Sequence, residues 1–232
     1  MPVHLQKDLE KLRMTVLEMG TIIEESISLA VTSLMTNDRA IAEQVVAEDQ
    51  DVDQREVTIE EECLKILALH QPVARDLRFV VAVLKMNNDL ERIGDFAVNT
   101  AERTLYLAHH GTVPVPKGLG AMAAKAGQMV RRSLDALIEY DADIARRVIA
   151  SDDEVDDLRD SLFSTVLNEI RKDVSHLDHW IQILSCIRYM ERIADLATNI
   201  AQDVVYLVEG DVVRHRDPDI DPEKSRPHRP RA

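Results

Sequence analysis

Four pairs of acidic residues stand four positions apart in this sequence: Asp49 and Asp53, Glu91 and Asp95, Asp152 and Asp156, Glu191 and Asp195. On a helix that spacing puts both side chains on one face, with Cβ atoms roughly 5–6 Å apart. Like charges at this distance repel, by a few tenths of a kcal/mol per pair. Several acids recurring on one face therefore need something positive to offset them. One candidate is a multivalent cation, since hard carboxylate oxygens suit Mg, Mn, Ca or Fe, and Zn also accepts them. The other is arginine: Arg92 and Arg192 follow the acids directly, and Arg75, Arg78, Arg103 and Arg188 are near. The plain alternative is a solvated, salt-bridged helix face.

The pairs are not scattered. Residues 38–53 (DRAIAEQVVAEDQDVD) return as 141–156 (DADIARRVIASDDEVD), with eight of sixteen positions identical. Residues 90–107 (LERIGDFAVNTAERTLYL) return as 190–207 (MERIADLATNIAQDVVYL), with nine of eighteen identical. The offsets are 103 and 100 residues, too long for a solenoid, whose repeats run roughly 20–50 residues. The chain reads as two related halves: a first unit over 1–110, a linker over 111–116, a second unit over 117–210 and a tail over 211–232.

No strand signal stands out. Long proline-free stretches with apolar residues at helical spacing predict helices over 4–36, 39–70, 73–109, 117–140, 142–172 and 176–209. Asp38 and Asp141 are placed as N-caps after tight connections. Gln71-Pro72 should break the chain, because a residue before proline avoids the right-handed helical region. The fold class expected is all-α, as two tandem homologous three-helix bundles. The tail is charged and rich in proline with almost nothing to bury, and is expected to remain disordered.

A helical wheel on the third helix sets Glu91, Asp95, Asn88, Asn99 and Glu102 within about 80° of arc, opposite an apolar stripe of Met86, Leu90, Ile93, Ala97 and Thr104. That face should be open. The second helix adds Asp49, Asp53, Glu56 and Glu60 beside its own apolar stripe. In the second half Glu56 is replaced by Arg159, Glu60 by Phe163 and Glu102 by Gln202, while Asn199 remains. Cation binding should be weaker there. Glu56, Glu60, Asn99, Glu102 and Asn199 are kept as additional candidate ligands.

Other functions are disfavoured. A net charge of −14 argues against nucleic acid, which needs a basic footprint. No run approaches the roughly 18 apolar residues of a membrane span. The start lacks a secretory signal, so the chain is expected to be soluble and cytoplasmic with Cys63 and Cys186 reduced. There is no glycine-rich phosphate loop, GxSxG or HExxH. The Glu-x-x-His spacing of di-iron bundles is absent too, which disfavours the alternative of a carboxylate-rich bundle for metal storage or oxidation. No catalytic residue is assigned.

Two three-helix repeats, each with D-x-x-[VI]-D and later ERI[GA]D-x-A-x-N, resemble the PhoU family of bacterial phosphate signalling. The likeness is strongest over 63–105 and 190–210 and extends from about residue 5 to 210. It implies a non-enzymatic negative regulator of the phosphate-starvation response. Such a protein links the phosphate ABC transporter, through its ATPase subunit, to a membrane sensor histidine kinase. It further implies a homodimer that reaches the membrane only through partners. The resemblance also implies multinuclear iron or zinc, or another divalent cation, held by Asp49/Asp53, Glu91/Asp95, Asp152/Asp156 and Glu191/Asp195. The family's PVARDLR segment survives only in the first half, which marks Arg75 and Arg78 for partner binding.

Overall fold

A computed structural model describes residues 3–210; the expected tail lies outside them. Among the described residues there is no strand. The first half holds α1 (Val3–Thr36), α2 (Arg39–His70) and α3 (Ala74–His110). The second holds α4 (Gly118–Glu139), α5 (Ala142–Ala150), α6 (Asp152–Lys172) and α7 (Leu177–Glu209), with one 3₁₀ turn at Val174–His176. This is the all-α, twice-repeated three-helix bundle, with α5 and α6 together standing where α2 stands.

The same devices set the boundaries in both halves. The Asp38 carboxylate accepts from the backbone N–H of Ala40 at 2.9 Å and Ile41 at 3.2 Å. Asp141 does the same for Asp143 at 2.8 Å and Ile144 at 2.9 Å. Each cap satisfies two amides that the first turn leaves without helical partners. Before proline, Gln71 takes φ 44° and ψ 57°, outside the right-handed region. The 142–172 helix differs from expectation: it breaks at Ser151. There the backbone N–H turns to the carbonyls of Arg147 and Val148, and the hydroxyl also donates to Arg147 O at 2.8 Å.

Packing follows the apolar stripes. Leu5, Leu9, Leu12, Val16, Met19, Ile23 and Ile27 of α1 are buried at helical spacing. So are Met86, Leu90, Ile93 and Ala97 of α3, with Met190, Ile193 and Ala197 at the matching places on α7. Helix α2 packs on α1 and α3, while α5 and α6 pack on α4 and α7. The halves join through α1 against α4 and α3 against α7. The α3–α7 seam is antiparallel. Phe96 stacks on Tyr189 at 5.7 Å, Arg103 reaches Gln182 Oε1 at 3.2 Å, and His179 Nε2 lies 3.1 Å from His110 O. Gly20 is needed on the other seam, because a Cβ there would sit 2.1 Å from Leu134 Cδ1.

One end of the α1–α4 seam carries a cation–aromatic stack. Arg13 donates to Tyr140 OH at 2.6 Å and lies 5.1 Å from the Phe79 ring centre. Arg75 lies 3.8 Å above Tyr140. Phe79 is fully buried against both. Phe79→Ala removes that ring from the junction of the halves and should destabilise the protein by about 3–5 kcal/mol. A urea unfolding curve checks it, and an unchanged midpoint would show that the stack does not couple the halves.

Candidate functional site

The acidic residues of the first half stand on two antiparallel helices held in register from behind. Val52 is buried and packs on α3 where Gly94 has no side chain; a Cβ there would lie 3.2 Å from Val52 Cγ1. Asn87 donates to Glu56 O at 2.9 Å, with its own Oδ1 buried and without a partner. Leu90, Ile93 and Ala97 are inaccessible to solvent and fix the rotation of α3. The acids therefore share one groove between α2 and α3. The α3 face is not simply open as its wheel suggests: Glu91, Glu56, Asn99 and Asp49 are half-buried, while Asp53, Asp95, Glu60 and Glu102 are exposed.

Their mutual influence shows in the proton affinities. Partial burial raises Asp49 above the ordinary carboxylate value, and Asp53 and Asp95 push it further. Glu91 is raised by burial, then by Asp95, Glu56, Asp53 and Asp49. Asp95 is raised by burial and Asp53, with Arg92 pulling the other way. Among the described residues, none of these acids forms a salt bridge. The carboxylates are near enough to repel but stand apart: no three His, Cys, Asp or Glu side chains among the described residues gather closely enough to hold one metal ion.

The second half has the same groove between α6 and α7 with different charge. Arg159, at the place of Glu56, donates to Glu191 Oε1 at 2.6 Å and lies 3.5 Å from Asp156 and 3.1 Å from Asp160. Arg192 pairs with Asp195 at 3.2 Å. Asp152 remains outside these pairs. Burial, then Asp195 and Asp156, push it up to about 6. Asp195 is raised chiefly by burial, with Arg192 opposing. Asn199 is half-buried one turn beyond Asp195. Arginine ion pairs are thus built into the second groove, whereas in the first Arg92 acts on Asp95 without forming a salt bridge.

The other marked residues lie elsewhere. Arg75 is spent on Tyr140, and half-buried Arg78 keeps its Nε buried without a partner. His176 and His179 face each other at 5.7 Å, at the far end of α7. Asn87 carries a site contact that charge spacing does not reveal; only its position one helical turn from Glu91 points to it. Helix α7 and its fellows include no stretch long and apolar enough to cross a membrane.

The raised carboxylates bind protons more tightly folded than unfolded. The metal-free protein should therefore gain stability as pH falls from about 7 toward 4, and lose it as pH rises through that window. Asp152 contributes most near its value of about 6. Asp152→Asn should stabilise the protein at about pH 7.5 by about 1 kcal/mol, after allowance for screening at a half-exposed site. The difference should vanish below about pH 3, under the ordinary aspartate value of about 3.9. Thermal melts across pH with a chelator present check this, and a pH-independent difference would contradict it.

With this geometry in view, the comparisons with known proteins fall into place. The PhoU domain model matches twice, at residues 16–104 and 119–204. A relative from Pseudomonas aeruginosa, named phosphate-specific transport system accessory protein PhoU homolog, is 37% identical over 212 residues, covering 90% of this chain and 86% of that protein. A Pseudomonas putida relative of the same name is 36% identical over 211 residues, covering 90% and 82%. The crystal structure of PhoU from Pseudomonas aeruginosa superposes with a TM-score of 0.83 at 35% identity, covering 89% of this chain and 99% of that one. The phosphate transport system regulatory protein PhoU from Streptococcus pneumoniae also gives 0.83, at 29% identity, covering 90% and 99%. On sequence and on structure alike, the chain belongs to the PhoU family.

Proposed function

We propose that this protein is a negative regulator of the phosphate-starvation response. In this reading it is an adaptor between the ATPase subunit of a phosphate ABC transporter and a membrane sensor histidine kinase. It works without catalysis, in the cytoplasm, as a homodimer held at the membrane by its partners. Relatives named as accessory proteins of phosphate-specific transport support the association with transport. The observation that carries the adaptor reading is the duplicated pair of acidic grooves on an all-helical frame. Surface charge is displayed twice, once in each half.

The first groove suits a hard cation by its donor set. Asp49, Asp53, Glu91 and Asp95 would hold it, with Glu56, Glu60, Asn99 and Glu102 as further candidates, once side-chain rotation brings the carboxylates closer together than they stand in the metal-free groove. A multinuclear iron or zinc centre, or another divalent cation, would supply the positive charge that the groove lacks. Asp152, Asp156, Glu191 and Asp195, with Asn199, make the weaker second site, because Arg159 already occupies its charge. Neutralising the first groove would draw α2 toward α3 and alter the face that partners meet.

A strain lacking the gene should express phosphatase constitutively at high phosphate; normal repression would remove the regulatory reading. For the cation, Glu91→Gln or Asp95→Asn should lower the metal content of the purified protein while leaving the metal-free fold as stable or slightly more so. Arg159→Glu, which copies the first-half residue, should raise metal content through the second groove. Metal analysis of the variants decides, and equal content in all of them would sink the cation site.

A further inference from the structure

The turn from α6 into α7 holds two histidines whose ring nitrogens are already sorted into donor and acceptor. Asp173 shapes the turn by accepting the backbone N–H of Ser175 at 2.8 Å. The Ser175 hydroxyl and amide both donate to Asp173 and hold it below the usual aspartate range, with His176 adding to the effect. His176 Nδ1 lies 3.0 Å from Ser175 Oγ and 3.3 Å from Asp173 Oδ2. The carboxylate can only accept, and the serine proton is spent on it, so Nδ1 carries the ring proton and Nε2 keeps the lone pair. His179 is sorted the other way. Its Nε2 lies 3.1 Å from the backbone oxygen of His110, which can only accept, so the proton sits on Nε2. Nδ1 keeps the lone pair, buried and without a partner.

A ring that donates one nitrogen to a carboxylate or carbonyl and bares the other is the form in which histidine binds metal; the donated bond fixes tautomer and orientation. Two such rings stand one turn apart, with centroids separated by 5.7 Å and planes at 54°. An imidazole nitrogen bonds zinc at about 2.0–2.1 Å, which puts the ring centre about 3.2 Å from the ion. Two rings on one ion are then roughly 5 Å apart at a tetrahedral angle and roughly 6 Å apart near a straight line. The observed separation falls between these limits. Contact between the rings alone requires neither the sorted tautomers nor the bare nitrogen, and a buried acceptor without a partner calls for a cause. The His176 side chain is 51% exposed, so its side of the pair is open to solvent.

We propose that His176 and His179 form a chelating site for a divalent cation of the zinc class, with Asp173 positioning His176 and the His110 carbonyl positioning His179. No third His, Cys, Asp or Glu among the described residues stands where it would complete the shell, so water fills the remaining positions and the ion is exchangeable. Imidazole nitrogens suit zinc, copper and nickel, whereas carboxylate oxygens suit magnesium and calcium. The site therefore differs from the acidic grooves in place and in chemistry, and it does not rest on the function proposed above. A bound ion ties the 3₁₀ turn to the first turn of α7. Through the bond from His179 to His110 it also ties that turn to the end of α3.

The test titrates zinc into the full-length, chelator-stripped protein by calorimetry and follows the histidine ring nitrogen signals by NMR. Wild type is compared with His176→Ala, His179→Ala and the double variant. His109→Ala is the histidine control, and Glu91→Gln/Asp95→Asn takes charge from the first groove. Melting curves confirm that the variants fold. The expected result is a zinc-binding event weakened about tenfold or more by either alanine at 176 or 179 and abolished by both. The same event should survive H109A and E91Q/D95N. In the wild type, zinc should move the ring signals of His176 and His179, and magnesium at the same concentration should not; this readout stands even where a variant fails to fold. A zinc event that persists in the double variant, or that is lost in E91Q/D95N alone, would overturn the proposal and assign the ion to the acidic groove. Ring signals indifferent to zinc would overturn it too, and would leave the groove reading untouched.

Discussion

Carboxylates on neighbouring helices repel, and here the apolar seam behind them keeps them together. Leu90, Ile93 and Ala97 have no accessible surface, and Val52 packs where Gly94 leaves room. That burial, at roughly 25 cal/mol per Å² of apolar surface, outweighs repulsion of a few tenths of a kcal/mol per acidic pair. The grooves are therefore built by the core and tolerated by the surface. Raised proton affinities at Asp49, Glu91, Asp95, Asp152 and Asp195 register the remaining tension. A site of this kind is primed for positive charge without being organised around any particular source of it.

Duplication then allowed the halves to diverge. The second groove satisfies itself through Arg159, whose guanidinium spans Glu191, Asp156 and Asp160. Such a partly exposed network contributes modestly to stability, yet it fixes α6 against α7 whatever the solution contains. The first groove has no equivalent ion pair; its helices are held by Val52 against Gly94 and by the bond from Asn87 to Glu56 O.

The fold was legible because its signals are local and repeated. Asp38 and Asp141 announce their helices by capping chemistry, and the stripes of α1, α3 and α7 announce their buried faces. The break at Ser151 was not legible: apolar spacing continues across it, and the serine's bond to Arg147 O is one that unbroken helices here also make, as at Thr58 and Thr165. Acid spacing located the candidate site, but a wheel describes one helix at a time. It set the α3 acids opposite the core, whereas α2 closes over that face and half-buries Glu91. Arg75 shows the same limit. Its place over Tyr140 of the other half, 65 residues away in sequence, is invisible to any local pattern.

Each half also carries one sealed thiol. Cys63 on α2 and Cys186 on α7 have no accessible surface, and burial pushes both up to about 12. A thiolate is the reactive form, so neither sulfur reacts at neutral pH while its helix stays docked. Alkylation must wait for the surrounding packing to open, which makes the two cysteines a pair of built-in clocks. The rate at which each is trapped reads the opening frequency of its own half, and comparing the two rates would show whether the bundles breathe together or apart.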